Sequence, residues 1–189
     1  MYEAKNYTQL LGMEGFSDAL LNNHFTLYGG YVTNTNKLID LMKTSEVGTP
    51  QFAELHRRFG WEWNGMRLHE LYFENMVKGG VAISETSELK KVIDYVWGSF
   101  ENWQKEFIGL GTMRGIGWVV LAYDPVKKMV FNTWIGEHDE GVLAGSVPIL
   151  IMDVFEHSFM LDYGLKRADY VNVFMKNVNW GVVEGRLVS

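Results

Sequence analysis

Near residue 117 the hydrophobic repeat of this chain changes period, and that change decides which class of fold it can enter. Upstream, apolar side chains recur every three or four residues, the period of one helix face. Downstream, GWVVLAYD at 117–124 and KMVFNTWI at 128–135 are short β-rich runs joined at Asp124–Pro125, which predicts an antiparallel hairpin. A helical first half followed by a small sheet is an α+β order rather than an alternating one.

The helical half divides at its loop residues. Ser17 suits an N-cap, and Leu20, Leu21, His24, Leu27, Tyr28, Tyr31, Leu38 and Leu41 then predict one amphipathic helix over 17–43. Gly29 and Gly30 lie inside it, each costing about 1 kcal/mol relative to alanine unless a bend or a close contact needs them. Gly48 and Pro50 separate it from a second helix over 51–78, closed by Gly79–Gly80, and the two predict an antiparallel pair. A third helix is expected from Ser84 or Ser87 through Trp103, and a last one over 168–184, after the apolar run PILIMDVFEHSF. The expected architecture is an N-terminal helical-hairpin domain, 1–80, and a C-terminal domain, 81–189, with a small antiparallel sheet flanked by helices. No repeat or low-complexity segment interrupts it.

Composition narrows the chemistry. The 189 residues contain no cysteine, which excludes disulfides, thiolate metal sites and thiol nucleophiles, so any metal must sit on nitrogen and oxygen. The net charge is −6 with acids and bases interspersed, so no footprint for nucleic acid is present. No run approaches the roughly 20 apolar residues of a membrane span, and the first residues do not read as a secretory signal. A cytoplasmic protein is expected.

Asp153 and His157, four positions apart, can converge on one ion from a helix or from a strand leading into a turn; the plainer reading is an exposed helical pair. His24 and His69 fall on the inner faces of different helices among large apolar residues. Either one alone reads as an ordinary hydrogen-bonded core histidine. Two facing each other across a helical hairpin would each leave a buried polar group unsatisfied, at about 1–3 kcal/mol, unless they share a partner. A metal bound by both, with Asp153 and His157 closing the set, satisfies all four, and carboxylate plus imidazole suits iron or manganese. His56 stands outside this set as a surface residue.

The segments HFTLYGGYVTNTN (24–36), NGMRLHELYF (64–73), GWVVL (117–121), DVFEHSFMLDY (153–163) and RADYVNVFMKNVNW (167–180) resemble, in order and spacing, the iron/manganese superoxide dismutases. The resemblance covers nearly the whole chain. It implies His24, His69, Asp153 and His157 as ligands of one iron or manganese ion, Tyr31 as the tyrosine at the gateway, and Trp118 as a wall of the pocket. It implies Glu156 as a contact to the neighbouring subunit of a homodimer or larger homo-oligomer, and superoxide as the substrate. The family's hydrogen-bond donor to metal-bound solvent falls either four residues before the second ligand, here Gly65, or in the loop after the hairpin, here His138; the metal stays open between iron and manganese. Arg167 and Lys166 match cations that steer the anion.

The chain departs from the family pattern where a second gateway pair would be, near Leu27 or Tyr28 and at Met160. Phe73 and Phe155 replace tryptophans, and the stretch from His24 to Tyr31 is one residue short, which predicts a helix without a bulge. Two rival readings are a catalytically silent member kept for assembly or binding, and a di-metal carboxylate enzyme. The second requires Glu-x-x-His pairs, which the sequence lacks.

Overall fold

The computed structural model describes residues 1–188. Four helices come first: α1 (Asp18–Thr44), α2 (Pro50–Glu74), α3 (Glu88–Trp97) and α4 (Phe100–Gly111). Three strands follow, β1 (Gly117–Asp124), β2 (Met129–Gly136) and β3 (Val147–Asp153), and then α5 (Met160–Tyr163), α6 (Arg167–Lys176) and α7 (Trp180–Gly185). The α+β class, the helical hairpin and the β1–β2 hairpin are as the periodicity predicts.

Each of the first four helices starts where a hydroxyl can satisfy an orphan amide. Ser17, Thr49, Ser87 and Ser99 accept hydrogen bonds from the backbone N–H groups of Leu20, Phe52, Lys90 and Asn102. Pro50 takes the first turn of α2, where its missing N–H costs nothing. The pairs that touch between α1 and α2, Tyr28 with Glu70 and Asn34 with Glu62, run in opposite directions along the chain, so the two helices are antiparallel.

The structure corrects four boundaries. The expected third helix is two, because Gly98 adopts φ +80, a left-handed conformation that ends α3, and Ser99 caps α4 immediately afterwards. α2 stops at Glu74 rather than at 78. There Asn75 turns its side-chain amide to the carbonyl of Ile151, and residues 76–81 leave to form bridges with Val178 and Asn179. The same bridges split the expected last helix into α6 and α7. PILIM, read only as an apolar run, belongs to β3.

β3 completes a three-stranded antiparallel sheet in the order β2-β1-β3. Its central strand β1 is buried along nearly its whole length, and β3 is buried from Ile149 to Asp153. Burial on both faces leaves no alternation in the sequence, which is why β3 carries no strand signature. The register pairs Trp118 with Ile135 on one side and with Asp153 on the other. Directly opposed residues share a sheet face, so Trp118 and Asp153 project together toward α1 and α2.

One continuous apolar core runs from Tyr7 to Leu187. α1 passes through Gly29–Gly30 as an unbroken α-helix, as the one-residue shortening predicts, and a Cβ built on either glycine meets no atom within 4 Å. Neither glycine is needed for packing within the chain. Gly29→Ala should therefore raise the unfolding free energy by about 0.5–1 kcal/mol. A lower urea midpoint in the variant would mean that this position has a contact outside the single chain.

Candidate metal centre

Four separate elements deliver the four candidate side chains to one place. His24 comes from the second turn of α1, His69 from the last turns of α2, Asp153 from the end of β3, and His157 from the 3₁₀ turn Glu156–Ser158. One ligating atom from each lies within 4.8 Å of all the others. Asp153 Oδ2 is the hub, 3.1 Å from His24 Nε2, 3.1 Å from His157 Nε2 and 3.6 Å from His69 Nε2. Asp153 and His157 are thus neither helical nor an exposed pair: the carboxylate is fully buried, and the turn after the strand brings the imidazole back over it.

Proton inventory shows what this arrangement lacks. His69 Nδ1 donates to the carbonyl of Gly65, so its Nε2 carries a lone pair, and that buried atom has no hydrogen-bond partner. Burial lowers the pKa of both His24 and His69, keeping them neutral. Burial acts to raise Asp153, but the facing His157 and His24 outweigh it and hold the carboxyl ionised. Buried lone pairs and a buried carboxylate therefore converge with no positive centre between them. A cation with borderline-to-hard ligand preference fits that donor set, and three imidazoles with one carboxylate suit a single iron or manganese ion.

The carboxylate is fixed from behind. Asp153 Oδ1 accepts from the Phe155 N–H at 2.8 Å, and the Asp153 carbonyl accepts from the Tyr170 hydroxyl at 2.6 Å and from Ser158 Oγ at 3.2 Å. Tyr72 lies 3.1 Å from Tyr170 and extends the chain of hydroxyls. Such partners orient ligands and tune their basicity. No role is read for Tyr170 from sequence, although it lies in the RADY segment.

A second network stands in front. Trp118 Nε1–H donates to His138 Nδ1 at 3.0 Å, and an indole N–H cannot accept, so His138 must carry its own proton on Nε2. That proton points to Tyr31 Oη, 2.8 Å away. The Tyr31 ring stacks on His69 with centroids 5.1 Å apart. Burial pushes the Tyr31 phenol up and His138 down to about 4, so both keep these protonation states at neutral pH.

Gly65 explains how Tyr31 reaches this position. A Cβ there would lie 2.5 Å from Tyr31 Cδ1, so the tyrosine ring fills the space a side chain at 65 would take. Of the two places where a solvent-facing donor is expected, only 138 offers one. Trp61, not singled out by sequence reasoning, closes the other side of His138, with ring centroids 4.3 Å apart and its N–H on Glu137. Its signal is weak in sequence because aromatic residues crowd this stretch of α2.

Other candidates lie apart. Glu156 is exposed beside the centre. Arg167 donates to the carbonyls of Gly111 and Gly115, and Lys166 sits on the surface ahead of α6. Tyr28 turns to Glu70, and Leu27 and Met160 are exposed, so no second gateway pair forms at these positions. His56 is on the surface, bonded to the Phe52 carbonyl.

Comparison with known proteins agrees with this geometry. Residues 85–186 match the family model described as iron/manganese superoxide dismutases, C-terminal domain. The chain is 37% identical over 174 residues to superoxide dismutase (Fe) of Cupriavidus metallidurans, covering 89% of this chain and 86% of that protein. It is 34% identical over 162 residues to superoxide dismutase (Mn) 2 of Haloferax volcanii, covering 84% and 79%. It is 31% identical over 160 residues to superoxide dismutase (Mn/Fe) of Propionibacterium freudenreichii subsp. shermanii, again covering 84% and 79%.

The His138 network makes a pH prediction for the metal-free protein. Folded His138 stays neutral down to about pH 4, whereas in the unfolded chain it takes up a proton near 6.5. Between those limits unfolding binds a proton, so stability falls as the solution is acidified through this window and is flat above it. His138→Gln should remove one proton from the slope of unfolding free energy against pH, measured by urea titration. An unchanged slope would place the His138 proton elsewhere.

Proposed function

Because this chain belongs to the iron/manganese superoxide dismutase family, we propose that His24, His69, Asp153 and His157 hold one iron or manganese ion at which the protein dismutates superoxide. The observation that carries the reading is the buried Nε2 of His69, unpartnered and aimed at the carboxylate that two other imidazoles also face. When bound, the ion supplies a one-electron couple that accepts an electron from one superoxide and returns it to a second.

The balanced reaction consumes two superoxide ions and two protons and yields dioxygen and hydrogen peroxide. The residues manage the protons and exclude competing chemistry. His138 Nε2–H donates to Tyr31 Oη, which leaves the phenolic proton of Tyr31 free to donate to an anion arriving beside His69. Burial holds that proton on Tyr31, so it is released only to a strongly basic acceptor such as nascent peroxide. Trp118, Phe73 and Tyr72 wall the cluster and keep it dry, strengthening each electrostatic contact within it. Tyr170 and Ser158 hold the Asp153 carbonyl so that its carboxylate keeps its aim. A silent protein has no use for four convergent ligating atoms, which favours the enzyme over a binding or assembly role.

We further propose a homodimer built on this face. Glu156 and the partly exposed His157 lie together at the surface, with Met160 and Leu161 exposed next to them in sequence. Exposed Met160 and Leu161 suit the apolar centre of an interface and Glu156 its polar rim.

Elemental analysis and a dismutase assay after reconstitution with iron and with manganese test the function. About one metal ion per chain and activity with at least one of the metals is expected. A stoichiometrically loaded protein inactive with both would return the silent reading to first place. Asp153→Asn should weaken metal binding by more than about 100-fold, beyond the loss usual for a supporting residue. Retention of metal by this variant after dialysis would remove Asp153 from the ligand set.

A further inference from the structure

The family resemblance implies Arg167 and Lys166 as the cations that guide the substrate, yet Arg167 is anchored by Nε and Nη1 to two backbone carbonyls, with its Nη2 buried, and lies over the Trp134 ring at 5.7 Å. The chain carries a net charge of −6, so a superoxide ion approaches against the overall field. Entry then depends on a local positive charge at the mouth.

A surface recess of about 230 Å³ between α1 and α2 is lined by Leu27, Tyr31, Asn34, Arg58, Trp61 and Glu62. Tyr31 links it to the centre, lining the recess while its ring stacks on His69. Arg58 is its cation. The guanidinium lies 3.8 Å from the centre of the Trp61 ring and donates through Nε (2.9 Å) and Nη2 (2.7 Å) to Glu62 Oε1. Glu62 is itself buried and receives a hydrogen bond from Asn34, while Trp61 is tied to Glu137. Arg58 is thus a rigidly placed charge rather than a solvated one, with close to half of its side chain still exposed. Arg58 also borders the recess on the far side of Trp61, but there it and Arg57 face four carboxylates, Glu54, Glu137, Asp139 and Glu140, so an anion is less favoured there than on the Tyr31 side, where Glu62 is the one carboxylate.

We propose that Arg58, clamped on Trp61 by Glu62, is the residue that steers superoxide past Tyr31 to the metal centre, and that Glu62 sets the strength of that attraction. The proposal rests on the dismutase reading above. Arg58 acts by position and charge and does not touch the reacting atoms.

The test uses metal-loaded protein, with two readouts: the dependence of kcat/KM on ionic strength, and the affinity for azide, a small anion whose binding is followed by absorbance without turnover. Wild-type kcat/KM should fall as ionic strength rises from about 10 mM to about 0.5 M, where the charges are screened. Arg58→Gln should lower kcat/KM at low salt about threefold, flatten the salt dependence, and weaken azide about threefold. Arg58→Lys should keep the salt dependence. Glu62→Gln should raise low-salt kcat/KM and azide affinity about twofold, and it keeps the idea testable if Arg58→Gln folds poorly. Arg57→Gln removes the same net charge from a side chain that is 73% exposed and paired with Glu54, and should change neither readout.

The proposal is overturned if Arg58→Gln retains wild-type salt dependence and azide affinity, if Arg57→Gln matches it, or if Arg58→Lys fails as Arg58→Gln does, which would make the role one of packing on Trp61. If the loaded wild-type protein shows no dismutation at all, the functional reading fails, and azide affinity alone decides the place of Arg58.

Discussion

A buried carboxylate with three imidazoles turned toward it is the interaction on which the rest of this structure depends. Isolated, an ionised Asp153 in that position would be costly, because desolvation of a carboxylate amounts to several kcal/mol even after relaxation. The fold surrounds it with partners from every direction: a backbone amide at Oδ1, two hydroxyls at its carbonyl, and the histidines at Oδ2. The helical hairpin and the sheet are each incomplete without the other at this point. α1 and α2 bring Nε2 atoms that face no partner in the hairpin itself, and β3 brings a carboxylate with no cation.

Much of this was legible in the sequence, and what was not has physical reasons. The hairpin helices announce themselves through their limits, Ser17 and the Gly48–Pro50 loop, and through the helical spacing of Leu20, Leu21, His24 and Tyr28 along the buried face of α1. His24 and His69 stand out because a histidine amid large apolar residues needs a partner. β3 is silent because residues buried on both faces show no alternation, and its Asp153 was legible only through its spacing to His157. The breaks at Gly98 and at Asn177–Asn179 differ in kind. The first is marked by a glycine followed by a capping serine. The second depends on bridges to residues about 100 positions away, which no local pattern encodes.

The front of the site shows the same division. Tyr31, Trp118 and His138 are named by family resemblance, but their shared logic is geometric: an indole that can only donate fixes the imidazole tautomer, which in turn fixes the direction of the tyrosine hydroxyl. Gly65 was legible as a missing donor. That its emptiness is what admits the Tyr31 ring belongs to the packing of α1 on α2 and could be seen only in three dimensions.

The pairing of Trp118 with Asp153 across β1 and β3 has a consequence for how the protein matures. Side chains alternate along a strand, so a slip of a single residue would turn Asp153 to the opposite face of the sheet and leave the imidazoles without their anchor. Only the correctly aligned sheet offers an ion all four donors, and a bound ion stabilises that alignment over every shifted one by mass action. An ion held as proposed would thereby favour one strand alignment over its neighbours.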